Sequence, residues 1–104
     1  MDTDYLSNET YEAVILTAER FNHDLTLQFG CLSYSCENEK EYLQKAEKMI
    51  KKWLKEKYFK ELMDDIFFGN PPDEEEFRNT LSKILNNINE VRKIPFEKRT
   101  FEFQ

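Results

Sequence analysis

Glycine and proline are scarce in this chain, with two Gly and three Pro in 104 residues. An all-β fold needs turn residues about every 8–12 positions, and this composition does not supply them. Cysteine is equally scarce. Cys31 and Cys36 form no disulfide framework, and a single C-x4-C spacing matches no common zinc pattern. Both are read as reduced thiols in a cytoplasmic protein. The one histidine, His23, is too few for an H-E-x-x-H site or for the paired Glu-x-x-His motifs of a di-iron protein. No Gly-rich phosphate loop and no Ser-His-Asp set is present. No apolar run approaches the length of a membrane span. Met1-Asp2-Thr3-Asp4 lacks the apolar stretch of a signal peptide. The sequence therefore points to no enzyme, no cofactor and no metal.

What the chain does have is charge and aromatic volume. Charged residues make up 35%, and 21 acids outnumber 15 bases for a net charge of −6. A net acidic protein is repelled by nucleic acid unless it carries a strong local basic patch. Nine Phe, five Tyr and one Trp supply large contact areas for a core. The length suits one domain, residues 1–104, with 1–6 as a lead and 96–104 as an aromatic tail.

Helical periodicity dominates. Ser7 or Asn8 is the expected N-cap of a first helix over about 8–34, with Glu9 and Glu12 opposing its dipole. Its main stripe is Tyr11, Val14, Ile15, Ala18, Phe21, Leu25, Phe29, Leu32 and Cys36. Gly30 falls inside the pattern and marks a bend or the onset of fraying. Unbroken, this helix would be about 40 Å long, more than a compact ball of this size accommodates.

Asn38 with Glu41 resembles a capping box for the next helix, whose stripe is Tyr42, Leu43, Ala46, Met49, Ile50, Trp53 and Leu54. From Phe59 to Phe67 the apolar arc has rotated by roughly 150–200°. A straight helix cannot turn both arcs to one core, so a break near 56–60 is favoured. Phe68-Gly69-Asn70-Pro71-Pro72 is a stop signal, with Gly69 placed at the left-handed C′ position. Asp73 caps a last helix with the stripe Phe77, Leu81, Ile84, Leu85, Ile88 and Val91, ended by Pro95. The expected fold is all-α: an antiparallel bundle of three long helices, or four if the middle one breaks.

Two surface features stand out. The first helix carries a second stripe, Leu16, His23, Leu27, Cys31 and Tyr34, on roughly the opposite side. A helix with one packing surface has no need of it. It is the candidate interface, for a protein partner or for a second copy in a homodimer, unless a fourth helix or the aromatic tail covers it. The second feature is the basic outer face of residues 45–60, with seven Lys against two Glu; Lys45, Lys48, Lys52 and Lys55 are the candidate anionic-partner face. An internal complement is also available, since residues 1–37 carry seven acids and one Arg. Glu19 and His23 lie one turn apart and have the spacing of an acid–base or metal pair, but an exposed or interfacial polar contact is the favoured reading. The reading that follows is a small soluble helical protein–protein interaction module, non-catalytic and self-associating through the second face of helix one. The alternative is a regulatory protein that contacts nucleic acid or another anionic partner through its lysines.

Overall fold

The computed structural model describes residues 5–101, and it is all-α: no strand occurs among the described residues. The elements are α1 (Asn8–Thr10), a π-helical stretch (Tyr11–Leu16), α2 (Thr17–Phe21), α3 (His23–Ser33), α4 (Glu39–Leu54), α5 (Phe59–Ile66), α6 (Glu74–Arg92) and a closing 3-10 turn (Phe96–Lys98).

The first helix is not continuous, which corrects the expectation of one rod over 8–34. Asn22 adopts an extended backbone (φ −165°, ψ 135°), and its side-chain oxygen accepts a 2.8 Å bond from the Asp24 amide. Asn is among the best N-caps, so it starts a new helix here instead of continuing the old one. The helix does not end at Gly30: the residue is buried within α3, which runs on to Ser33. The π stretch is a second departure from regular spacing. The Asn87 side-chain amide of α6 donates to the Ala13 carbonyl (3.1 Å), and the Thr17 hydroxyl donates to the Glu12 carbonyl (3.0 Å). Such side-chain insertions satisfy the carbonyls that a wider turn frees. The two shorter pieces fit within overall dimensions of 40 × 24 × 22 Å.

The middle region breaks where the rotated arc requires. α4 ends at Leu54, α5 begins at Phe59, and the change of direction lets Phe59, Met63 and Ile66 reach the core already formed by Tyr42, Ala46, Ile50 and Trp53. Phe77 of α6 lies at the centre of an aromatic cluster. Its ring is 5.1 Å from Phe67, 5.4 Å from Phe59, 6.0 Å from Phe21 and 6.4 Å from Trp53. Offset and edge contacts at these separations add to the burial of large rings.

Ser7, Asn38 and Asp73 cap their helices by accepting bonds from the amides of Thr10, Glu41 and Glu76. The end of α5 differs from expectation by one residue. Phe68, not Gly69, occupies C′, with φ +53°, and Gly69 follows at φ +80°. The Gly69 amide donates to the Asp64 carbonyl (2.8 Å), the long bond of a Schellman closure.

Both ends of the described chain belong to the domain. Leu6 is buried, and the Tyr5 hydroxyl donates to the Ser33 carbonyl, so the expected lead is in part core. The tail folds back: the Asn8 amide donates to the Thr100 carbonyl, and the Thr100 amide donates to the Glu9 carboxylate, both at 2.6 Å. Phe96 and Phe101 pack on each other at 5.4 Å. Phe103 and residues 1–4 lie outside the described residues.

Candidate functional site

α3 buries one side and leaves the other in water. Leu25, Thr26, Phe29, Gly30 and Ser33 are buried. His23, Leu27, Cys31 and, just past the helix end, Tyr34 are exposed. At 100° per residue these four lie within an arc of about 80° and span about 16 Å. Leu27 is 38% and Tyr34 63% exposed. Neither α5 nor the described part of the tail covers this row. Leu16, the fifth member of the predicted stripe, separates from it: the π stretch and the Asn22 break change its phase, and it is half-buried in the first segment.

The lysine row is a real face of α4. Lys45, Lys48, Lys52 and Lys55 are all exposed and also fall within about 80° of arc. Lys45 pairs with Glu41 at 3.1 Å and donates to the Ser35 carbonyl at 3.1 Å. Lys48, Lys52 and Lys55 have no ion pair among the described residues. On the opposite flank of α4, Glu47 takes Arg92 of α6 at 2.7 Å, and the Leu54 carbonyl accepts from Arg78 of α6. α6 therefore occupies that flank, and the flank with Lys45 adjoins the end of α3.

Of the anticipated complement between the acids of the first segment and these lysines, no close ion pair is formed among the described residues, and Asp2 and Asp4 lie outside them. Among the described residues, no ion pair joins Glu9, Glu12, Glu19 or Asp24 to α4. Glu12 meets Arg20, while Glu9 holds the Thr100 amide. Glu19 and His23 end up on either side of the Asn22 break, both exposed, and no hydrogen bond joins them. Cys31 is an exposed free thiol, and Cys36 is buried with its thiol toward the Leu32 carbonyl (3.4 Å). No group of three or more metal-ligating side chains converges among the described residues. No described helix is long and apolar enough to cross a membrane.

Sequence reasoning missed the most polar buried cluster. Glu39, the first residue of α4, is 2% exposed. Its Oε1 accepts from the Ser7 amide and the Ser7 hydroxyl, both at 2.6 Å, and its Oε2 accepts from Arg99 at 2.7 Å. Burial by itself raises this carboxyl's pKa; the hydrogen bonds from Ser7, Thr10 and Arg99 outweigh it and hold the group below the usual glutamate range. Arg99 also donates to the carbonyls of Ile94 (3.1 Å) and Val91 (3.2 Å). Locally, Glu39 reads only as an acid at a helix N-terminus; its partners are 32 and 60 residues away. Burial also pushes the Tyr42 phenol strongly upward, with the Tyr5 and Cys36 charges adding to it. Tyr42 stays neutral and donates to the Phe29 carbonyl (3.0 Å).

A groove of about 390 Å³ lies between α4, α6 and the tail, lined by Lys40, Leu43, Gln44, Arg92, Phe96 and Arg99. Its two arginines are already engaged by Glu39 and Glu47.

No family model, curated protein or solved structure matches this chain. The class that the fold defines is an all-α domain with one apolar row and one basic row on its surface.

Proposed function

We propose that this chain is a non-catalytic protein-interaction module that docks through the outer face of α3, acting in the cytoplasm with both thiols reduced. The observation that carries the reading is the exposure of Leu27 and Tyr34 on a helix whose other side is fully built into the core. Contiguous apolar surface, unlike apolar residues exposed singly, marks interaction sites, and the alignment of Leu27, Cys31 and Tyr34 on one face supports docking there. The test separates docking from structure. Leu27→Glu with Tyr34→Ser is expected to leave Tm within about 2 °C of the parent, as exposed substitutions do. A fall of the size seen for a core substitution makes the row structural and ends the reading. A second copy is one occupant of this face; a dimer in light scattering that Leu27→Glu dissolves identifies it.

Lys48, Lys52 and Lys55, without acidic partners among the described residues, support the second reading, contact with an anionic partner. Its nucleic-acid form requires binding that weakens steeply with salt, as counterion release dictates. The net charge of −6 opposes that form at long range.

A further inference from the structure

The apolar row and the lysine row meet at the corner where α3 passes into α4. Lys45 bonds the Ser35 carbonyl, one residue past Tyr34, so the basic face of α4 begins where the α3 row ends. α3 and α4 are joined by the short link 34–38, and Tyr42 and Trp53 of α4 both meet Phe29 of α3. The two helices are thus packed neighbours, and the apolar row of α3 and the cationic row of α4 meet at the corner between them.

Resting on the interaction-module reading, we propose that this surface takes an acidic amphipathic helix from a different protein. The helix would lay its apolar side on Leu27, Cys31 and Tyr34 and its acidic flank along Lys48, Lys52 and Lys55. Charge complementarity selects this occupant. A second copy fits less well. A two-fold contact with antiparallel α3 helices puts the two lysine rows on the same side of the seam, and each copy carries −6. The α3 row alone, about 16 Å long, also falls well short of the roughly 800 Å² per partner of a stable dimer. Adding the lysine row extends the surface but calls for acids opposite it.

The experiment is fluorescence anisotropy with a labelled synthetic helix of about 14 residues, long enough to cover both rows. It carries Leu at every third and fourth position and Glu or Asp elsewhere. Its charge-swapped Lys version and a labelled DNA duplex are run beside it. The acidic peptide is expected to bind, and to bind several-fold more weakly when salt rises from about 20 to about 300 mM. Lys48→Glu with Lys52→Glu should weaken it about tenfold, and Leu27→Glu should remove it, with circular dichroism unchanged. The proposal is overturned if the acidic peptide does not bind, if the Lys version binds equally, or if the duplex binds more tightly. A dimer that Leu27→Glu dissolves also overturns it while leaving the interaction-module reading intact. Loss of the fold in Leu27→Glu with Tyr34→Ser removes that reading itself.

Discussion

Arg99 sets its guanidinium 2.7 Å from the carboxylate of Glu39, sixty residues earlier in the chain, with Glu39 almost fully buried and Arg99 nearly so. The pair ties the returning tail to the start of α4. Through Ser7, the same carboxylate also holds the entry to the first helix. One acid thus joins three segments that the sequence keeps far apart.

Removing one partner of a buried pair leaves the other charge without compensation. Arg99→Met is expected to cost about 3 kcal/mol in urea unfolding, the lower end for buried pairs because Ser7 still serves Glu39. Arg99→Met combined with Glu39→Gln should recover much of that loss, since no buried charge remains. A double variant as unstable as the sum of the singles contradicts this account.

The same cluster gives acid sensitivity of defined sign. The folded pKa of Glu39 lies below its unfolded value, so the unfolded chain takes up the proton more readily as pH drops. The stabilisation is present above the ordinary glutamate range and is lost as pH falls through the lower folded value. Glu39→Gln should therefore flatten the decline of Tm on the acid side. An unchanged slope would show that other carboxylates carry it. Tyr42 acts in the opposite direction: its raised pKa makes stability fall once pH exceeds the ordinary phenol value of about 10.

Thr26 is 3% exposed, and its hydroxyl is the one buried side-chain polar atom without a hydrogen-bond partner among the described residues. Thr26→Val keeps the shape and removes the desolvated hydroxyl, so it should stabilise by about 1 kcal/mol. In a domain of this size that corresponds to roughly 4–8 °C in a thermal scan. A lower Tm would show that the hydroxyl does have a partner in solution.

Phe68 holds a left-handed backbone while 74% of the residue is in solvent. That conformation costs an L-residue about 1–2 kcal/mol, more than the roughly 0.5–1 kcal/mol of extra chain entropy that glycine loses on folding. Phe68→Gly should accordingly raise stability by up to about 1 kcal/mol in chemical denaturation. Destabilisation would mean that the ring makes contacts in solution that outweigh its strain.

Much of the architecture was legible because it follows from local chemistry. The caps at Ser7, Asn38 and Asp73 and the stripes of α4 and α6 depend on residues three to four apart, and a periodic reading detects that spacing. The half-turn shift between Trp53 and Phe59 required a break even without Gly or Pro, because two arcs cannot face one core. The break at Asn22 was equally local, an Asn-x-Asp cap, but an apolar stripe that kept phase across it hid the signal. Of the candidate surface, Leu27, Cys31 and Tyr34 could be placed together from spacing, whereas Leu16 could not. The π turn that shifts its phase carries a bond from a distant segment: Asn87, seventy-four residues from Ala13, donates to the Ala13 carbonyl.

The sequence by itself determined the all-α class, most helix boundaries and the two surface rows, because helical period, capping and charge act over a few residues. The tertiary structure alone decided that the α3 row stays in water, that Lys45 at the head of the lysine row reaches the end of α3, and that Glu39 is a buried anchor for both ends of the described chain. Those outcomes depend on which segments meet across tens of residues, and burial, pairing and desolvation are properties of that meeting.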